Sequence, residues 1–260
     1  MPELPDLQVF SRNLIKLFKG KTLSTVKVFA HKKLNVPAKE LQEALEGAKL
    51  QEVVRDGKEL FFHFDNKNIL SLHLMLHGEI RLLQDDSKEK TKVIELVFND
   101  GSGFTVTDYM KQATPRLNPP AQKGMDALSA ELTPAFLKKK MVASKKAGIK
   151  TFLMDQKKIK GIGNAYADEI LWEAKISPFS LCGEIPDEKA ADLSKAIKSV
   201  LKDAEKQILK EHPDLITGEV RDFLKIHNHR VDESPNGKPI KTAEINGRKT
   251  YYTDEQKLYK

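Results

Sequence analysis

The chain has 260 residues, with 44 Lys and Arg against 37 Asp and Glu, a formal charge of +7 and a single cysteine, Cys182. One thiol excludes an intramolecular disulfide and any zinc site needing several thiolates. The length suits one large domain or two smaller ones, and the basic balance suits a polyanionic partner without requiring one. Charges at Glu3, Asp6, Arg12, Lys16 and Lys19 interrupt the first twenty residues, and no later run reaches 18 apolar residues. Neither a secretory leader nor a membrane span is expected, so a cytoplasmic location is.

A short extended arm leads into a predicted helix over 6–19, where Leu7, Phe10, Leu14, Leu17 and Phe18 form one stripe and Gly20 supplies a stop. Strand patterns follow over 22–29, 59–64, 69–83 and 93–98, the last running into the turn signal Asn99-Asp100-Gly101. This half predicts a β-sandwich or barrel. The charged stretch 85–92 predicts an exposed loop, and 116–122, with Pro119-Pro120, an interdomain linker. Thr133-Pro134 opens a helical half, in which Leu193, Ile197, Val200, Leu201, Ala204 and Ile208 make an amphipathic helix. Past Ile226 the turn signals Asn236-Gly237 and Asn246-Gly247 predict a small terminal β-hairpin. No internal repeat is visible.

Three segments carry chemistry. Gly161-Ile162-Gly163-Asn164 stands directly before an apolar-faced helix, an arrangement that turns backbone N–H groups and the helix dipole toward a phosphate. Read alone, this is also an ordinary structural helix-turn-helix. Met1-Pro2-Glu3-Leu4-Pro5 read alone is a stiff terminal arm, and Lys58 in Arg55-Asp56-Gly57-Lys58 a solvated surface lysine.

Taken together, these segments resemble the formamidopyrimidine-DNA glycosylase/endonuclease VIII family. The resemblance extends, in the family's order, through His73-Leu74-Met75-Leu76-His77-Gly78, Thr107-Asp108, Met154-Asp155-Gln156 and Gly247-Arg248-Lys249-Thr250. It implies an α+β architecture. An N-terminal β-sandwich with an N-terminal helix would span 1–115, a helix-two-turn-helix DNA-binding domain 116–226, and a β-hairpin finger 227–260. It also implies a base-excision-repair glycosylase with abasic-site lyase activity, needing no cofactor. The partner implied is double-stranded DNA with a damaged base or abasic site, met by a monomer at the nucleoid.

The resemblance implies roles residue by residue. Pro2, its amine freed by removal of Met1, would be the nucleophile that forms a Schiff-base intermediate. An α-amine has a pKa of about 8, so a useful fraction is unprotonated at neutral pH. Glu3 matches the general acid/base, and Lys58 a phosphate-gripping lysine implicated in elimination. Asn164 and Arg248 match phosphate ligands, Arg248 through a bidentate guanidinium. Lys150 is a further DNA contact. Such contacts would hold one nucleotide rotated out of the duplex.

The chain also departs from the pattern. Zinc-bearing members place two Cys-x-x-Cys pairs in the finger, where this sequence has Glu233, Asn236, Thr253 and Gln256, so a zincless finger and no metal are expected. Leu76 aligns with a void-filling methionine, although a one-residue slip would choose Met75. Met110 and Gln112 replace an Arg-x-Phe pair, so the opposite base would be read differently. The short segment around Arg221-Asp222-Phe223 argues against strong 8-oxoguanine specificity. Two other readings stand beside the enzyme: a non-catalytic damaged-DNA-binding protein on the same scaffold, and an RNA-binding module using the helical motif alone.

Overall fold

A computed structural model of the chain describes residues 1–83 and 89–260, so 85–88 of the loop expected at 85–92 lie outside the described residues. The chain forms two compact units, one from residues 1–121 with 208–219, the other from 122–207 with 220–260.

The first unit begins with helix α1 (Leu4–Phe18), two residues ahead of the sequence expectation. The reason is local. Glu3 and Asp6 form a reciprocal cap: the Glu3 N–H donates to Asp6 Oδ2 at 2.9 Å and the Glu3 carboxylate accepts from the Asp6 N–H, with Pro5 in the first turn. Leu7, Phe10, Leu14 and Phe18 are buried as the stripe predicts, whereas Leu17 falls off it at 38% exposure.

The strands are β1 (Leu23–Val28), β2 (Leu50–Asp56), β3 (Glu59–Phe64), β4 (Ile69–His73), β5 (Glu79–Leu82), β6 (Lys92–Phe98), β7 (Gly103–Thr107) and β8 (Thr114–Leu117). They form two antiparallel four-stranded sheets, ordered β1-β6-β7-β5 and β2-β3-β4-β8. Rings tie the layers together. Phe62 of one sheet packs on Phe104 of the other at 5.4 Å, and Phe18 of α1 stacks on Phe98 at 4.8 Å. Each such pair adds roughly 0.5–1.5 kcal/mol beyond its buried area.

The first unit differs from the sequence reading in several places. Helix α2 (Ala38–Leu45) and strands β2, β7 and β8 had no counterpart in it. The run 69–83 is two strands, because Met75 takes a φ of 56° and the chain folds back until the Gly78 N–H donates to Leu74 O at 2.8 Å. Only glycine fits there, since a Cβ at 78 would stand 2.2 Å from that same oxygen. Residues 116 and 117 belong to β8 rather than to a linker; β8 is an edge strand, where Pro115 is tolerated.

The second unit contains β9 (Met125–Asp126), α3 (Pro134–Ala143), α4 (Ile149–Met154), β10 (Ile159–Lys160), α5 (Asn164–Glu173), most of α6 (Asp187–Glu211), β11 (Lys241–Ile245) and β12 (Arg248–Tyr252). Thr133 caps α3, its hydroxyl accepting from the Phe136 N–H at 3.2 Å. α6 buries Leu193, Ile197, Leu201 and Ala204, as its periodicity predicts. Asn246 and Gly247, with φ of 50° and 71°, turn β11 into β12 in the type I′ manner. Asn236-Gly237 is a loop turn ahead of that hairpin. No helix among the described residues is long and apolar enough to cross a membrane.

Candidate active site and nucleic-acid interface

The first unit holds the amino terminus and Lys58. Pro2 is buried, and Glu3 is 5% exposed at the head of α1. The Met1 ammonium donates to the Glu219 carboxylate. Loss of Met1 would pass the terminal amine to Pro2, beside a carboxylate already fixed by the helix cap. Lys58 lies in the β2–β3 turn and is largely buried. Arg55 braces that turn, donating from Nε to Gln8 Oε1 of α1 at 2.9 Å and from Nη1 to Gly57 O at 3.3 Å.

His73, at the end of β4, reports the charge around Lys58. Burial first, then the positive charges of Lys58 and Arg116, depress its pKa to about 4. It is therefore neutral at physiological pH, and its Nδ1 accepts the Met75 N–H at 3.0 Å. That bond fixes the start of the loop carrying Leu76.

Two loops of this unit present apolar side chains outward: Leu76 is 61% exposed, Met110 51% and Tyr109 66%. The His77 and Tyr109 rings, 4.6 Å apart, bring the loops together. Asp108 braces the second loop: its buried carboxylate accepts from the N–H groups of Met110, Gln112 and Ala113 at 2.9, 2.7 and 2.8 Å. The sequence reading singled out Leu76 and Met110 but not the equally exposed Tyr109, an aromatic directly after the loop-forming Asp108.

In the second unit, Gln156 organises the Gly161–Gly163 turn. Its Oε1 accepts the Gly161 N–H at 2.9 Å, and its Nε2 donates to Met154 O and Ile162 O, both at 2.8 Å. Asn164 then opens α5 and donates from Nδ2 to Lys249 O at 2.9 Å. The hairpin tip is held on a second side by Asn246 Nδ2, which donates to Thr151 Oγ1 at 3.0 Å. Arg248 is exposed at that tip and lines a groove of about 330 Å³ with Thr151, Met154 and Asn246.

Lys150 does not face solvent. It is 1% exposed, its Nζ 2.8 Å from Asp168 Oδ1 in an ion pair and donating to Thr250 Oγ1 at 2.8 Å. The reading of Lys150 as a direct DNA contact is therefore corrected: its ammonium is spent on the interior, joining α4, α5 and β12. Asp168 also accepts the Tyr251 N–H at 2.9 Å and meets His227 Nδ1 at 2.7 Å. Its neighbour Glu169 accepts the N–H groups of Lys225, Ile226 and His227. Burial pushes the Glu169 carboxyl up, and those three donors oppose the shift. The signal for both residues was an adjacent pair of acids on an otherwise apolar helix.

The structure thus brings Asn164, Arg248 and, from beneath, Lys150 together at the hairpin, and groups Leu76 with Met110 on the sandwich. The positions of the family's zinc ligands do not fit a metal. Gln256 is committed, its Oε1 accepting the Thr253 N–H and its Nε2 donating to Ile176 O, both at 2.9 Å. Among the described residues no cluster of three His, Cys, Asp or Glu could hold an ion.

Comparison with known proteins agrees with this layout. The family model described as the formamidopyrimidine-DNA glycosylase N-terminal domain matches residues 1–114, and that described as its H2TH domain matches 124–211. The chain belongs to the formamidopyrimidine-DNA glycosylase family. The enzyme of that name from Lactobacillus helveticus is 32% identical over 278 residues, covering 100% of both chains. That of Bacillus subtilis is 32% identical over 217 residues, 78% of each. Among solved structures, Lactococcus lactis Fpg in complex with abasic-site-containing DNA is 26% identical with a TM-score of 0.86, covering 98% of this chain and 99% of that one. MutM in complex with carbocyclic 8-oxo-G-containing DNA has the same identity, TM-score and coverage.

Proposed function

We propose that this protein is a DNA glycosylase of base excision repair that also nicks abasic sites, with the secondary amine of Pro2 as its nucleophile once Met1 is removed. The observation that carries the reading is the helix cap: Glu3 is fixed by Asp6 immediately beside the residue whose nitrogen becomes the chain terminus. The relatives' activity supports the same reading and does not favour a non-catalytic binder. Functionally, 1–115 serves chemistry, 116–226 binds duplex DNA, although its 116–121 and 208–219 pack with the first unit, and 227–260 is a finger; the protein acts as a monomer in the cytoplasm at the nucleoid.

The Pro2 nitrogen attacks C1′ of the damaged nucleotide. The C1′–base bond breaks, and the base leaves with its electron pair and takes up a proton. Glu3 protonates the sugar ring oxygen or the leaving base, the ring opens, and the C1′–nitrogen link becomes an iminium. Loss of a C2′ proton then expels the 3′ phosphate, with Lys58 assisting, and water hydrolyses the iminium to release Pro2. Asn164 and Arg248 grip backbone phosphate while the nucleotide is out of the stack, and Leu76 and Met110 fill the space it leaves. Lys150 enters only by bracing the hairpin.

The test is borohydride trapping on abasic-site DNA. The expected product is a covalent adduct mapping to residue 2 of a chain that has lost Met1, absent when an extra residue blocks the terminus. An adduct on Lys58, or none, overturns the reading. Duplexes bearing single oxidised pyrimidines, ring-opened purines or 8-oxoguanine then identify the lesion.

A further inference from the structure

Beside the Asp254–Lys241 ion pair that joins the ends of the β11–β12 hairpin, one carboxylate gathers donors from three segments. Glu255, three residues past β12, accepts five hydrogen bonds. At Oε2 the donors are the Trp172 indole (2.9 Å), the Ser234 hydroxyl (2.8 Å) and the Thr253 hydroxyl (3.1 Å); at Oε1 they are the Lys175 ammonium (3.0 Å) and the Asn236 amide (2.6 Å). A carboxylate offers about four lone-pair sites, so this one is saturated.

These donors come from three separate segments: the end of α5, the loop before β11 and the residues after β12. The last two carry Glu233, Asn236, Thr253 and Gln256, the positions at which zinc-bearing members of the family place thiolates. A metal joins two knuckles by binding donors from each. Here the polarity is inverted, with a central anion and converging N–H and O–H groups. Ser234 is 4% exposed and Thr253 1%, so the Oε2 side is shielded from competing water, while the Asn236 and Lys175 donors to Oε1 stand at the surface.

We propose that Glu255 takes the mechanical place of a finger metal and is a positioning residue for Arg248, fixing the base of the hairpin whose tip carries that guanidinium. The proposal rests on the reading of Arg248 as a phosphate ligand. Partial burial pushes the Glu255 carboxyl up, but the hydrogen bonds from Asn236, Trp172, Lys175 and Ser234 outweigh it and hold the group well below the usual carboxylate range. The staple therefore stays charged at any pH at which a repair enzyme works.

Glu255→Gln tests this in the full chain, since the amide keeps the shape but turns an NH₂ group toward existing donors. Three readouts apply: hydrogen exchange of the 241–252 amides, affinity for a tetrahydrofuran-containing duplex, and trapping rate at saturating abasic DNA. Exchange is expected to quicken about tenfold and binding to weaken three- to tenfold, roughly, with the saturated rate held within about twofold. Because Glu255 acts through Arg248, E255Q combined with R248A should bind no more than about twofold weaker than R248A alone.

Unchanged affinity in E255Q, or a penalty that multiplies with that of R248A, overturns the proposal. Should E255Q fail to fold, Ser234→Ala and Asn236→Ala, each removing one donor, carry the same cycle. Failure of R248A itself to weaken binding would overturn the phosphate-gripping reading instead. The exchange rates would still decide whether Glu255 orders the hairpin.

Discussion

Asn164 donates its side-chain amide to the main-chain oxygen of Lys249, 2.9 Å away, so the first residue of α5 is tied to the residue that follows Arg248. The two phosphate ligands expected from the sequence are thereby one assembly. Asn164→Ala should weaken binding to abasic-site DNA by more than the loss of a single phosphate contact, because it also releases β12. Fluorescence anisotropy at several salt concentrations checks this. The slope of log affinity against log salt should fall by about 1 in magnitude through the loosened Arg248, since the neutral amide itself displaces no counterion, and a change near zero would show that Arg248 keeps its phosphate without Asn164.

The Lys150–Asp168 pair makes a different prediction. Both groups are essentially inaccessible, so Lys150→Met leaves a buried anion with its strongest partner gone. The loss should be about 3–5 kcal/mol of stability by chemical denaturation. Lys150→Met combined with Asp168→Asn should recover part of it, since the stranded charge is then removed. A surface lysine binding DNA directly would show the opposite pattern, with normal stability and impaired binding.

His73 gives the fold a defined acid response. Its folded pKa of about 4 lies below the unfolded value near 6.5, so the unfolded chain binds more protons between those limits. Stability is fully present above the unfolded value and is lost as pH falls from about 6.5 toward 4, by an amount on the order of 3 kcal/mol. Urea unfolding from pH 7 to pH 4.5 measures it. His73→Gln should flatten that part of the profile, and an unchanged slope would refute the assignment.

Leu76→Ala with Met110→Ala should weaken binding to a tetrahydrofuran duplex about tenfold while leaving undamaged duplex within about twofold, because apolar wedges act only on an opened base step. The salt slope should not move. A loss equal on both DNAs would assign the loops to packing.

Much of this was legible in the sequence because it was local. The α1 stripe, the Thr133-Pro134 helix start and the Asn246-Gly247 turn each depend on residues within a few positions. The β4–β5 break at Met75 depends on one left-handed backbone angle that a strand-favouring composition hides. α2 is Glu- and Gln-rich with only Leu41 and Leu45 buried, too weak a period to notice. In the site, Lys150 looked like a DNA ligand because its partners, Asp168 and Thr250, are 18 and 100 positions away. Glu255 was invisible for the same reason, its donors reaching back as far as Trp172.

The first unit is completed by residues 208–219: Ile216 joins its core, and Leu215 O accepts the Asn13 amide at 2.8 Å. During synthesis residues 122–207 of the other unit leave the ribosome before this last piece of the sandwich does. The usual order, N-terminal domain first, is reversed in its final step. A nascent chain arrested with residue 207 just emerged should still be cut by protease within the sandwich, and one arrested past residue 219 should resist.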